Sequence, residues 1–173
     1  MRTFISIDIP EQVKNEIKKI QGKLSGFRGK FTEPENLHLT LKFLGEINEK
    51  KIREVIERLR EIKFEKFETR MDSIGVFSEK FIRIVWLHLT NCDALQRDMD
   101  KKLDNLFKKE ERFMSHLTIA RVKYIQDKKN FLEDINQIKV EKVKFIVDKF
   151  YLMKSELTES GPRYSVIEEY NLD

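Results

Sequence analysis

At 173 residues the chain is long enough to bury a sizeable core, as one compact domain or as two small lobes sharing one. Charged side chains make up 37% of it, against about 25% in an average soluble protein, but 34 Lys and Arg face 30 Asp and Glu, and the net charge of +4 leans only mildly toward an anionic partner. The single cysteine, Cys92, excludes an internal disulfide and a multi-thiolate metal site, and no apolar run approaches the roughly 20 residues of a membrane span.

The opening, Met1 to Asp8, has neither a long apolar run nor a small-residue cleavage site, so a cytoplasmic protein is expected. A strand over Phe4–Ile9 is stopped by Pro10, which opens a helix with Val13, Ile17, Ile20 and Leu24 on one stripe. Gly22, Gly26 and Gly29, set among Lys23, Arg28 and Lys30, read as a mobile basic loop. Pro34-Glu35-Asn36 introduces a strand ended by Gly45, and a second helix runs from Asn48 to Ile62. Phe64–Phe77 reads as one or two strands broken near Asp72, Phe81–Leu89 as another, and a third helix follows from about Asp93 to Phe107. A strand over Arg112–Val122, a helix over Asn130–Ile138, a strand-rich stretch over Val140–Lys154 and a last strand over Tyr164–Tyr170 complete the chain. No linker or low-complexity segment divides it, so residues 1–173 are expected to form one domain of two lobes.

Within this order one motif returns. His38-Leu39-Thr40-Leu41 reappears as His116-Leu117-Thr118-Ile119, each copy alternating with the period of a half-buried strand. Alternation places Asn36, His38, Thr40 and Lys42 on one face, and Met114, His116, Thr118 and Ala120 on another. A strand with a core behind it and a cleft in front has a use for such a polar row. The third histidine, His88, also precedes Leu-Thr, but counting back by twos puts it with Trp86, Ile84 and Ile82 on an apolar face. It is expected to be structural and outside the site, with Thr90 or Asn91 capping the next helix. Strand, helix, His strand, helix occurs in each half, a coarse duplication that would set His38 across a cleft from His116.

The paired motifs resemble those of the 2H phosphoesterase superfamily, specifically the RNA 2',3'-cyclic phosphodiesterases that include the 2'-5' RNA ligase-like proteins. The resemblance rests on Arg2–Pro10, on Pro34-Glu35-Asn36-Leu37-His38-Leu39-Thr40-Leu41-Lys42-Phe43-Leu44-Gly45, on Ser115–Val122 and on Gly161-Pro162-Arg163-Tyr164. It implies an α+β, bilobal, pseudo-twofold duplicated fold, with two antiparallel sheets forming a central cleft and helices outside. It implies hydrolysis of a terminal 2',3'-cyclic phosphate on RNA to a 2'-phosphomonoester, without a metal; no cofactor is expected, and the chain is expected to be a monomer. It also implies His38 as proton donor to the 3' oxygen and His116 as proton acceptor from water, the residues alone leaving the reverse order open.

The residue types suit that chemistry. Histidines titrate near 6.5, so a pair holds one neutral and one protonated ring near neutral pH. Thr40 and Thr118 share faces with the histidines and can donate to phosphoryl oxygens. Lys42, on the His38 face, is a candidate for substrate binding; Arg121, on the face opposite His116 in a regular strand, is a candidate from the cleft edge. Tyr164 and Trp86 read as core or cleft wall. No metal-ligand spacing is present. The competing expectations are a 2'-5' RNA ligase acting on tRNA-half-like ends, and a non-catalytic RNA- or nucleotide-binding protein.

Overall fold

Proline 10 separates the first two elements of the computed structural model, which describes Met1–Asp173. They are β1 (Arg2–Asp8) and α1 (Glu11–Gln21), followed by β2 (Phe27–Phe31), a single 3-10 turn at Pro34–Asn36 and β3 (His38–Glu46). The chain continues through α2 (Glu49–Arg60), β4 (Phe67–Val76), β5 (Ile84–Leu89), α3 (Asp93–Lys102), β6 (His116–Ile125) and α4 (Lys128–Gln137). It ends in β7 (Lys144–Val147), β8 (Lys149–Thr158) and β9 (Gly161–Asn171).

Local chemistry sets several of these boundaries. The Asn48 side chain accepts the Lys51 N–H at 2.9 Å and Asp127 accepts that of Asn130 at 3.1 Å, so α2 and α4 each begin on a side-chain cap. The expected cap of α3 at Thr90 or Asn91 is not formed. Thr90 Oγ1 instead accepts the Arg70 N–H, Asn91 turns the chain in a left-handed conformation at φ 63°, and Cys92 occupies the cap position. The helix then stops at Lys102, five residues short of Phe107, because Leu103, Leu106 and Phe107 continue in turns that keep them packed on the core.

All strand pairings are antiparallel, in the order β7-β4-β5-β6-β3-β1-β8-β9. The order reads outward from the β3–β6 contact with four strands on each side, which is the expected duplication. The two halves, expected as two sheets, are joined into one curled sheet by a single bridge, Leu39 opposite Leu117. Helices cover its convex face, α1 against β6, α3 against β3 and α4 against β4. A cluster of 37 buried residues fills the space between, including Leu39, Leu87, Leu95, Met99 and Leu117.

The expected basic loop is partly a strand: β2 lies along β6, Lys30 opposite Arg121. Gly29 makes that possible, since a Cβ there would stand 2.0 Å from the Arg121 carbonyl oxygen. A glycine-rich stretch signals freedom of backbone conformation, and here the same absence of side chain serves close approach. The expected break at Asp72 is a β-bulge: pairing jumps from Met71–Leu89 to Ser73–His88 and leaves Asp72 as the extra residue. No helix is long and apolar enough to cross a membrane.

Candidate active site

The bridge between Leu39 and Leu117, both fully buried, pins the two His-x-Thr units together. Continuing the antiparallel register by one residue sets His38 beside Thr118 and Thr40 beside His116, so the histidines occupy opposite corners of a four-residue patch. Each ring is held in the same way. His38 Nδ1 lies 2.7 Å from the Asn36 carbonyl oxygen and His116 Nδ1 lies 2.8 Å from that of Met114, in each case two residues upstream. A carbonyl only accepts, so both Nδ1 atoms carry hydrogen and both Nε2 atoms are left for chemistry. Asn36 reaches this position because the Pro34–Asn36 turn delivers it, and its side-chain amide donates to Pro162 O at the tip of the β8–β9 hairpin.

Two matching bulges decide which other residues join the patch. Ser6 pairs with Thr40 but Ile5 with Lys42, which leaves Leu41 as the extra residue in β3. Trp86 pairs with Thr118 but Val85 with Ala120, which leaves Ile119 as the extra residue in β6. Past each bulge the alternation of faces inverts. Lys42, expected beside His38, is therefore turned to the helix side, 3% exposed, where its ammonium pairs with Asp100 of α3 and donates to Lys108 O at 2.9 Å. Ala120 is buried with it, and Phe43 comes to the cleft face instead, 68% exposed. Arg121, expected on the face opposite His116, is brought onto the His116 face, and its charge acts on His38.

His88 is also placed differently from expectation. It lies directly across from His116 on β5, with Trp86 and Ile84 on the same concave face, while Val85, Leu87 and Leu89 fill the core behind. Both faces of β5 are apolar, so period alone does not tell wall from core. The Nδ1 of His88 is 2.7 Å from Asp72 Oδ1, the bulged residue of β4, with both side chains about 30% exposed.

Aromatic rings wall the patch at both ends. Phe4 and Tyr164 pack 4.9 and 5.0 Å from the His38 ring, and Phe77, itself over Trp86, meets the His116 ring edge-on at 4.9 Å. Trp86 lies flat across β4 because Gly75 has no Cβ to obstruct it. Tyr164 and Trp86 are thus cleft wall, whereas Phe4, Phe43, Phe77, Asp8 and Asp72 carry no sequence signal beyond their strands. Of the basic trio, Lys30 stands at the rim beside Arg121, tied to Glu33 at 3.1 Å, and Arg28 lies over the Tyr124 ring.

Burial pushes the His38 imidazole below its ordinary value; the Asn36 carbonyl and the carboxylate of Asp8, its partner on β1, oppose that shift, while Arg121 and His116 add to it. No group of three or more His, Cys, Asp or Glu side chains is disposed to hold a metal ion. The patch can hold one tetrahedral anion between two free imidazole nitrogens, two hydroxyls and a guanidinium.

Comparison with known proteins places the chain in a family. The family model described as LigT like phosphoesterase matches residues 7–86 and 90–164. The RNA 2',3'-cyclic phosphodiesterase of Methanocaldococcus jannaschii is 39% identical over 175 residues, covering 98% of this chain and 100% of the relative. That of Thermotoga maritima is 40% identical, covering 98% and 94%. Among solved structures, a Thermus thermophilus protein superposes with a TM-score of 0.82 at 27% identity, covering 99% of this chain and 98% of that one. The E. coli LigT complexed with 3'-AMP, at 21% identity and a TM-score of 0.79 over 99% and 97% of the two chains, shares the fold.

Proposed function

The chain belongs to the LigT-like phosphoesterases of the 2H superfamily, and from that premise we propose that it is an RNA 2',3'-cyclic phosphodiesterase working by paired histidines without a metal. The observation that carries the reading is the crossed pair of His-x-Thr units, each with its Nδ1–H tied to the carbonyl two residues back and its Nε2 free. A cyclic phosphate seated on the patch has one imidazole on each side and a threonine hydroxyl beside each. Water attacks phosphorus as its proton passes to His116 Nε2. The bond from phosphorus to O3' breaks, and O3' takes the proton of His38 Nε2, leaving a 2'-phosphomonoester. Thr40 and Thr118 donate to the non-bridging oxygens, and Arg121 offsets the charge that builds on them.

The test is turnover of a nucleoside 2',3'-cyclic phosphate and of a cyclic-ended oligonucleotide with a chelator present. We expect 2'-phosphate products from both. Loss of activity on chelation, restored by zinc or manganese, would replace this mechanism with a Lewis-acid one.

Electrostatics supplies a way to order the two roles. Asp8 favours the protonated form of His38, and Asp8→Asn removes that charge while keeping the oxygen that accepts the Ile9 N–H at 2.9 Å. Its loss should make the His38 ring give up its proton at still lower pH. If His38 is the acid, less of it carries a proton near neutral pH, so kcat/KM should fall there, by up to about tenfold for each pH by which the titration drops, while the limb of the bell that His38 governs moves to lower pH. A rise in kcat/KM on the acid side would instead make His38 the base.

A further inference from the structure

The third histidine stands beside the proton acceptor, on the side away from the leaving oxygen. Across the sheet run Asp72 on β4, His88 on β5, His116 on β6 and Thr40 on β3. We propose that His88, oriented by Asp72, positions the attacking water jointly with His116 and so selects water over an alcohol as the nucleophile. The inference rests on the reading of His116 as proton acceptor.

Directly paired residues on adjacent antiparallel strands hold their Cβ atoms about 4.5–5.5 Å apart, so one oxygen atom can touch both rings. The Asp72 carboxylate accepts the His88 Nδ1–H at 2.7 Å, so in the neutral ring Nε2 is the open acceptor. Two acceptors then flank the nucleophile. A water molecule satisfies both, giving one proton to His116 and hydrogen-bonding to His88 through the other, with a lone pair left facing phosphorus. An alcohol has carbon in place of the second hydrogen and leaves His88 unanswered. The equivalent place beside His38 is taken by Asp8, its partner on β1. The duplicated frame is therefore dissimilar at these two positions: a carboxylate flanks the proton donor, where it favours the charged ring, and an imidazole flanks the base, where the nucleophile enters.

A partition experiment reads this directly. A 2',3'-cyclic-ended oligonucleotide is turned over in a water–methanol mixture, and the 2'-phosphomonoester is measured against the 2'-methyl phosphodiester. Methanolysis has the same balance: its oxygen bonds to phosphorus, its proton goes to His116, and O3' leaves with the proton of His38. His88→Ala should slow hydrolysis about tenfold, the size of one hydrogen bond in the transition state, and leave methanolysis nearly unchanged, so the product ratio moves about tenfold toward the methyl ester. Asp72→Ala should move it the same way, and His88→Gln, which keeps an acceptor, should restore part of the preference for water. A ratio of products does not depend on how much of a variant is folded, so destabilisation alone leaves it unmoved. An unchanged ratio in both His88→Ala and Asp72→Ala would reduce His88 to a structural residue. Absence of both products with the unsubstituted protein would overturn the phosphodiesterase reading itself.

Discussion

Replacing either His38 or His116 by alanine should lower turnover of a cyclic-ended oligonucleotide by about 10²–10⁴-fold, the usual worth of one positioned proton transfer, and the double variant should lose little more than the worse single one. Near-equality of single and double losses is expected because each ring is useful only while the other holds the complementary proton. A substrate whose 3' leaving group is already a good one removes the need for the acid. It should rescue His38→Ala and not His116→Ala. Rescue confined to His116→Ala would exchange the two roles, and full activity in either single variant on RNA would end the two-histidine mechanism. Fluorescence of the folded variants is a poor control here, since Trp86 lies against the site; thermal unfolding followed by far-ultraviolet circular dichroism is the better one.

The largest expected stability effect lies one strand face away. The Lys42 ammonium and the Asp100 carboxylate are both almost fully buried and bonded to each other, and Asp100 also accepts from Gln96 Nε2 at 2.9 Å and from the Glu110 N–H at 3.0 Å. Burial alone would push the Asp100 carboxyl up, but these three donors outweigh it and hold it below the usual carboxylate value. Lys42→Met should leave that carboxylate buried without its counter-charge and cost about 3–5 kcal/mol, as should Asp100→Ala from the other side. Replacing both with apolar residues of similar volume should recover most of the loss. Urea unfolding of the four proteins makes the cycle. Equal losses in single and double variants would mean that the pair itself holds the fold.

The displacement of one lysine and one arginine from their expected faces has a single cause. Alternation along a strand is legible in side chains, and His38, Thr40, His116 and Thr118 all fall on the face it predicts. The bulges at Leu41 and Ile119 carry no side-chain signature, because both are ordinary apolar residues, yet each inverts the residues that follow it up to the next register shift. Lys42 and Arg121 stand on opposite sides of that inversion from where the period puts them. His88 is hidden by a different ambiguity, since β5 is apolar on both faces and only the curl of the sheet makes one of them a wall. The helices with side-chain caps, α2 and α4, end within two residues of where the sequence predicts, whereas α3, which has none, does not. Gly29 shows the limit of composition, the same residue type marking a turn in one context and a tight strand contact in another.

The seam between the halves has a mechanical consequence. Where β8 and β9 pair from Lys149–Asn171 to Thr158–Gly161, β3 and β6 share one bridge. That sparsely bridged line of the sheet runs between the two imidazoles. Each ring, however, is anchored to the carbonyl two residues back, just ahead of its own strand, and neither anchor crosses the seam. Flexing at the seam would change the span between the two nitrogens and leave untouched which nitrogen of each ring bears hydrogen.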